Sequence, residues 1–359
     1  MAYTTIDNPA EHFQPVIWTG NGTDDRAINI GMQPDFVWWK HRTNASYWHY
    51  LVDSNRGIGK QIYTNGNDAE GTHAGGHVKS YTATGITIDD DQAINYNNTT
   101  YAGYMWKANG GSTSTLTAGS VNSTVQTNST ADFSIITYTG NGVDGANIAH
   151  GLSGAWDCVW IKNRGTTDDW QIYHKYQQDN GQNTGGSFND SGAFATCANT
   201  SGRPTRNGTN LINLNDCGDI GSINGNTETY VCYAFKEVKG YSKFGSYIAN
   251  GNATDGQFVY TGFKPAFILW KNVEEDKNWF VVDSARNPFN PTDHTFYPDT
   301  NGAELTWLSF GTAYGLMLSN GFKWNSGDSH WNNSGDRYVY MAFAEHPFVS
   351  SEGVPCTAK

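Results

Sequence analysis

Residues 133–142 read Phe-Ser-Ile-Ile-Thr-Tyr-Thr-Gly-Asn-Gly, a β-branched and aromatic run that ends in an Asn-Gly pair. Such a run is typical of a β-strand, and the Asn-Gly pair tolerates the positive φ angles that tight turns require. The chain of 359 residues contains ten Asn-Gly pairs and no long stretch with helical periodicity. These features predict an all-β protein.

The same opening run occurs in two other places, at residues 16–22 and 246–251. Each copy is followed by an aromatic strand that ends in lysine, and later by an aromatic closing strand. The lysine-ended strands are residues 36–40, 158–162 and 267–271, and the closing strands are residues 101–106, 230–235 and 338–343. An asparagine precedes each closing tyrosine by six positions, at Asn95, Asn224 and Asn332. A unit repeated in this way is one supersecondary module, and this one suits an antiparallel two-sheet sandwich.

The repeats divide the chain into three tandem modules with distinct joints. The predicted parts are an N-terminal arm (1–12), sandwich repeat 1 (13–107), a linker (108–131), sandwich repeat 2 (132–236), sandwich repeat 3 (241–349) and a C-terminal tail (350–359). The linker consists mainly of Ser, Thr, Asn and Gly and is uncharged, which predicts a flexible or extended segment. Only residues 237–240 join repeats 2 and 3, so we expect these two to pack rigidly and repeat 1 to be separable.

Composition excludes several classes of function. Charged residues make up 16% of the chain and the net charge is −12, which argues against a nucleic-acid partner because phosphate contacts need clustered Lys and Arg. No apolar run is long enough to predict a membrane span. The first residues lack a basic and an apolar region, so classical secretion is not predicted.

The sequence predicts no catalytic residues, no metal and no cofactor. The Glu-x-Asp-x-x-Glu carboxylates of laminarinase-like sandwiches are missing, and the acidic runs 274–276 and 89–91 are expected in solvated loops. Calcium binding by residues 89–91 is a weaker alternative. His73 and His77 have a helical metal-binding spacing, but the glycines between them indicate loop histidines.

Repeats 1 and 3 share an Asp-x-x-Arg pattern, at Asp53 with Arg56 and at Asp283 with Arg286. Because both residues recur together, we interpret each pair as a structural salt bridge that stabilises a turn. A repeated active site is the weaker explanation.

One turn in repeat 3 offers a hypothetical glycan site. Its members are the aromatics Trp307, Trp324 and Trp331 with the polar residues Asp328, His330 and Asn332. Aromatic rings on turns stack well on sugars, although large aromatics in sandwiches more often pack in the core. Both interpretations stay open at this point.

Four stretches carry a resemblance to a known group of proteins: residues 133–142, 241–247, 258–266 and 338–345. With them the chain resembles marine bacteriophage proteins made of tandem concanavalin-like (laminin G-like) sandwich repeats, described as tail fibre or virion structural proteins. The resemblance implies three concanavalin-like, jelly-roll modules. It also implies a virion location after assembly in the host cytoplasm.

The resulting hypothesis is a bacteriophage virion structural protein, either a tail fibre or an accessory protein on tail or capsid, that also contacts the host surface. The alternative is a lectin-like adhesin that binds a glycan or receptor, and a polysaccharide-degrading enzyme is disfavoured. The expected partners are other virion proteins and host-surface polysaccharide, and a homotrimer is one expected assembly.

Overall fold

The structure is a computed structural model that describes residues 3–176, 184–196, 204–215, 221–310 and 313–355. Within these ranges the chain is almost entirely β, which confirms the all-β prediction. The strands form three large antiparallel sheets, three sheets of three strands and two short hairpins.

The first sandwich pairs a large sheet of order β1-β9-β3-β4-β5-β6 with a smaller sheet of order β2-β8-β7. A 3-10 turn at Pro9–Glu11 precedes it, and a one-turn helix at Gln92–Asn95 precedes its closing strand. Its strands are β1 (Phe13–Thr19), β2 (Arg26–Asn29), β3 (Phe36–His41), β4 (His49–Asp53), β5 (Lys60–Tyr63), β6 (Gly71–Thr72), β7 (Val78–Thr82), β8 (Gly85–Ile88) and β9 (Thr100–Trp106).

The second sandwich has a large sheet of order β10-β11-β12-β20-β14-β15 and a smaller one of order β13-β19-β18, with β16 and β17 as a hairpin. A one-turn helix at Gly221–Asn224 precedes its closing strand. Its strands are β10 (Ser114–Leu116), β11 (Ser123–Asn128), β12 (Phe133–Thr139), β13 (Ala146–Ala149), β14 (Cys158–Asn163), β15 (Gln171–His174), β16 (Thr184–Gly185), β17 (Ala195–Thr196), β18 (Thr205–Asn207), β19 (Leu211–Leu214) and β20 (Thr229–Phe235).

The third sandwich has a large sheet of order β21-β29-β23-β24 and a smaller one of order β22-β28-β27, with β25 and β26 as a hairpin. A 3-10 turn spans Trp307–Phe310 and a one-turn helix spans Ser329–Asn332. Its strands are β21 (Ser242–Ile248), β22 (Phe258–Tyr260), β23 (Phe263–Asn272), β24 (Phe280–Asp283), β25 (His294–Thr295), β26 (Leu305–Thr306), β27 (Ala313–Leu318), β28 (Gly321–Ser326) and β29 (Arg337–Pro347).

All three large sheets share one order of four strands: opening, closing, lysine-ended and fourth strand. The opening and closing strands pair in the same register, with Trp18 opposite Tyr101, Tyr138 opposite Tyr230 and Tyr247 opposite Tyr338. These ring pairs stack with centroids 5.4, 5.0 and 5.2 Å apart. The sequence repeats therefore correspond to structural repeats.

The lysine-ended strands are buried on both faces. Because successive side chains point to opposite faces of a sheet, the neighbours Trp38 and Trp39 enter different cores. Trp39 lies between the two sheets of its own sandwich, and Trp38 lies in a core that residues of all three sandwiches share. We call this shared cluster the central core.

Three rings at equivalent positions of the closing strands meet in the central core. Trp106, Phe235 and Phe343 form a triangle, with centroid separations of 6.3 Å (Trp106–Phe235), 6.2 Å (Phe235–Phe343) and 5.3 Å (Trp106–Phe343). All three are almost fully buried. Burial of this area between modules is a hydrophobic contribution that none of the sandwiches could obtain alone.

Polar contacts join each sandwich to the next in a closed cycle. The Tyr233 hydroxyl of the second sandwich donates to Asp53 of the first (2.6 Å), and the Tyr104 hydroxyl of the first donates to Asp283 of the third (3.0 Å). At the remaining junction the equivalent of Asp53 is His174, whose Nε2 lies 3.2 Å from the Tyr340 carbonyl oxygen. The three sandwiches thus close into a ring with pseudo-threefold symmetry.

A second set of contacts repeats the same cycle. Arg164 binds Glu70 across one junction (2.8 Å), and Arg42 binds Glu304 across the next (2.7 Å). At each of these junctions the glutamate N–H also donates to the arginine carbonyl oxygen. The third junction keeps this backbone bond, from Phe194 to Val273, but replaces the ion pair with two apolar side chains.

Residues 108–131 are not a flexible linker. They supply β10 and β11, which extend the large sheet of the second sandwich, and Ala108 and Ala131 are buried in the central core. The β-branched Ser-Thr-Val-Gln-Thr-Asn sequence of β11 favours a strand, and the neighbouring edge of β12 provides its backbone partners. The first sandwich is accordingly packed with the other two and is not separable in the way that the linker predicted.

The N-terminal arm also has an ordered place. Ile6 is buried in the central core, the Thr4 hydroxyl donates to the Lys239 carbonyl oxygen (2.9 Å) and the Tyr3 hydroxyl donates to the Gly262 carbonyl oxygen (2.8 Å). The Ser351 N–H donates to Asp7, so the described part of the C-terminal tail lies against the arm. The arm fastens the start of the chain to the third sandwich.

Candidate functional site

Two tryptophans of the hypothetical glycan site are core residues. Trp324 and Trp331 are 1% and 0% exposed and pack around Trp270, with ring centroids 4.4 and 5.0 Å from it. Rings buried in this way cannot stack on a sugar, so the core interpretation of these two residues is the correct one. The sequence alternation in β28 placed Trp324 on the inner face.

Asn332 is likewise buried and serves a turn. Its side-chain oxygen accepts from the Asn250 N–H (3.2 Å), and its amide donates to the Asn250 side chain (3.0 Å). Asn95 and Asn224 hold the Asn-Gly turns of the other two sandwiches through the same backbone bond, each 3.0 Å long. The recurring asparagine is therefore a lock on the opening turn and does not belong to a ligand site.

The other three members of the site reach the surface and lie close together. Trp307 is half-buried, with its indole N–H donating to Thr295 (2.9 Å). Its ring centroid lies 6.3 Å from that of His330, whose Nδ1 is 2.8 Å from Asp328. One aromatic ring and two polar side chains of the predicted set thus remain accessible to solvent.

The repeated Asp and Arg pairs are buried salt bridges, as the sequence indicated. Arg56 contacts Asp53 and Arg286 contacts Asp283, with the side chains 1% exposed or less. Each arginine also reaches the glutamate at its junction, Glu70 or Glu304. Burial opposes ionisation of these glutamates, but hydrogen bonds from Arg164 to Glu70 and from His294 and Arg42 to Glu304, together with the two buried arginines, lower the pKa of both. The pairs stabilise turns and also organise the contacts between sandwiches.

An opening with apolar side chains in its lining lies along one edge of the third sandwich. The edge strands β21 and β22 belong to its two facing sheets, and the groove between them has a volume of about 650 Å³. Ile248, Phe258 and Tyr260 line this groove and are 45%, 39% and 53% exposed. We call it the edge groove. An edge strand also presents unpaired backbone N–H and C=O groups that can bind another strand.

The corresponding edge of the second sandwich is covered by the chain itself. There β11 pairs with the opening strand β12 over its whole length, from Ser123 opposite Tyr138 to Asn128 opposite Phe133. Val121, just before β11, bridges to Ile148 of β13, and Val121 and Val125 are buried. One edge of the repeat is therefore filled by an extended segment with two buried valines, whereas no strand among the described residues pairs with the outer edge of β21, the equivalent edge strand of the third sandwich.

Two histidines and two aspartates from separate loops meet at the end of the first sandwich. His73 and His77 lie between β6 and β7, as the predicted loop histidines, and their rings stack at 3.8 Å. The Oδ2 atom of Asp89 lies 2.9 Å from Nε2 of His73 and 3.4 Å from Nδ1 of His77, and Oδ1 of Asp91 lies 3.9 Å from that Nδ1. The sequence analysis treated the two histidines and the acidic run separately, and the pairing of β7 with β8 brings them together.

Comparisons with known proteins give one match. No curated protein and no solved structure matches the chain. Among the described residues, no helix has the length and apolarity needed to cross a membrane. One family model runs through all three sandwiches, from residue 8 to residue 347. The chain belongs to this family, a domain of unknown function (DUF7483).

Proposed function

We propose that this protein is a structural component of a bacteriophage virion, a tail fibre or an accessory protein on tail or capsid, and that it assembles through the edge groove. The observation that carries the assembly mode is the contrast between the two edges. The second sandwich fills its edge with β11, whereas the third leaves Ile248, Phe258 and Tyr260 in contact with solvent. The virion assignment rests on the resemblance to phage proteins of tandem sandwich repeats.

The occupant that fits the groove is an extended segment of a neighbouring virion protein. Strand addition to an open edge supplies main-chain hydrogen bonds, and the apolar side chains on alternate positions supply specificity. The internal example, β11 with Val121 and Val125, indicates a β-branched strand with small apolar residues. Because one chain already forms the pseudo-threefold ring that three separate chains would otherwise have to form, we expect a monomer in solution.

Particles of the encoding phage offer the test. We expect the chain in purified particles in a fixed ratio to the major capsid protein, measured by quantitative mass spectrometry. The double variant Ile248→Lys/Tyr260→Lys should fold and yet be depleted from particles by about tenfold or more, because two charges would lie against the added strand.

A matched control uses the edge of the first sandwich. Ile17 on β1 is also 45% exposed on an edge strand, but the groove residues Phe258 and Tyr260 have no equivalent among the exposed apolar residues nearby. Ile17→Lys should leave incorporation unchanged. Absence of the wild-type chain from particles, while the lysate contains it, would overturn the virion assignment. Equal incorporation of both variants would overturn the edge groove as the attachment site.

Host-surface glycan binding is a second candidate function, supported by the accessible trio Trp307, Asp328 and His330. A half-buried ring beside a carboxylate and an imidazole has the composition of a small sugar-binding site. Trp307→Ala should then abolish binding to host polysaccharide in a pull-down assay. Unchanged binding would exclude these residues.

A further inference from the structure

We propose that His73, His77 and Asp91, with Asp89 beside them, form a binding site for a zinc-class transition-metal ion in the first sandwich. One ligand atom from each of His73, His77 and Asp91 lies within 4.8 Å of the others, and no other group of three such residues does so among those that the structure describes. The inference does not depend on the proposed virion function.

The spacing of the ligand atoms suits a small metal ion. With metal–ligand bonds of about 2.0–2.1 Å, tetrahedral ligand atoms lie about 3.3 Å apart. The separations here are 2.9 Å (His73 to Asp89), 3.4 Å (His77 to Asp89) and 3.9 Å (His77 to Asp91). These three separations lie on either side of that spacing.

The buried imidazole of His77 points independently to a ligand. Its side chain is 4% exposed, and its Nδ1 atom, 3.4 Å from Oδ2 of Asp89 and 3.9 Å from Oδ1 of Asp91, makes no hydrogen bond of acceptable geometry. Buried polar atoms normally have a partner, and an orphaned one calls for an explanation such as an ion. A cation between Nδ1 and the two carboxylates would supply that partner.

The surroundings hold His77 in place. Its ring packs edge-on against Trp39 and Tyr50, which lie in the core between the two sheets of the first sandwich, with centroids 5.9 and 5.3 Å away. The His77 carbonyl oxygen accepts from the Asp89 N–H (3.1 Å), so the two loops are already joined at the backbone. A fixed ligand and a fixed loop pair reduce the entropy that metal binding would cost.

The donor set selects the class of metal. Calcium and magnesium take oxygen ligands, whereas imidazole nitrogens combined with carboxylates suit Zn²⁺ and its neighbours among the transition metals. His73 is 29% exposed at its side chain, which leaves an entry path from solvent. In this position the ion would fasten the loop at residues 73–77 to the segment at residues 89–91.

The purified full-length chain, stripped with a chelator and dialysed, provides the test. Isothermal titration with Zn²⁺ should give one site per chain, and Co²⁺ should give the visible absorption of tetrahedral coordination. Zn²⁺ should also raise the melting temperature. His73→Gln should abolish all three signals, and Asp89→Asn should weaken affinity by about 10-fold to 100-fold.

His346→Gln is the matched control, because His346 is a surface histidine beside a carboxylate, with a side chain 61% exposed. It should bind Zn²⁺ like the wild type. Circular dichroism shows whether each variant is folded, and the Co²⁺ spectrum of the wild type tests the site without any variant. Failure of the wild type to bind Zn²⁺ or Co²⁺ at micromolar concentration, or equal loss in both histidine variants, would overturn the proposal.

Discussion

Replacing Tyr233 with phenylalanine should weaken the junction between the first and second sandwiches without changing its shape. The Tyr233 hydroxyl donates to Oδ2 of Asp53 at 2.6 Å in a fully buried setting, and burial raises its pKa, so it stays a donor. A hydrogen bond to a charged group contributes about 1.5–3 kcal/mol, and the variant should lose free energy of unfolding in this range.

Asp53→Asn should cost more, because it leaves the charge of Arg56 without its main partner. Loss of one member of a buried ion pair costs about 3–5 kcal/mol. Arg56 keeps a contact with Glu70 at 3.1 Å, so we expect the lower end of that range. The double variant Tyr233→Phe/Asp53→Asn should cost less than the sum of the single changes, with a coupling of about 0.5–3 kcal/mol.

Urea unfolding followed by tryptophan fluorescence measures these differences. Tyr104→Phe removes the equivalent bond to Asp283 and should behave like Tyr233→Phe, whereas Tyr96→Phe changes a half-exposed ring and should be nearly neutral. If Tyr233→Phe and Tyr96→Phe have the same stability, the hydroxyl contributes nothing and the argument is refuted.

Three further predictions concern the whole ring. Calorimetry should show one unfolding transition, because the sandwiches share the central core, and separated transitions would contradict this. Trp106→Ala should lower stability by about 3–5 kcal/mol, measured by urea unfolding. Burial lowers the pKa of His174 to about 3, so the native state excludes a proton that the unfolded chain binds below about pH 6.5. The free energy of unfolding should therefore fall as the pH drops from about 6.5 toward 3. In a series of melting temperatures measured across this range, His174→Gln should show a weaker dependence on pH than the wild type.

Much of each sandwich could be predicted from the sequence because its signals are local. The Asn-Gly turns, the alternating aromatics and the asparagine before each closing tyrosine act within one module. Gly22, Gly142 and Gly251 adopt φ angles of 65°, 69° and 66°, as their turns require. The salt bridge of Asp53 with Arg56 was also predictable, since the two residues are three positions apart and recur in the third module.

The arrangement of the modules was not predicted, because it depends on contacts across long sequence separations. One signal was available: the run Phe-Val-Trp-Trp at residues 36–39 is apolar on both faces, which is typical of a strand covered on both sides. Residues 108–131 were wrongly predicted to be a flexible linker, because uncharged Ser, Thr and Asn are common in linkers. Their strand character becomes decisive only when the edge of β12 is present.

The two kinds of junction make the ring asymmetric, which a ring of three identical chains could not be. Identical subunits would repeat one interface three times, whereas this chain uses Arg–Glu contacts at two junctions and the apolar pair Phe194 and Val273 at the third. Fusion of the copies lets each one diverge independently. A chain of this kind presents a different surface in each of three directions. When it binds a threefold-symmetric partner, a further protein can therefore bind at one of the three positions, whereas a symmetric trimer would bind it at all three.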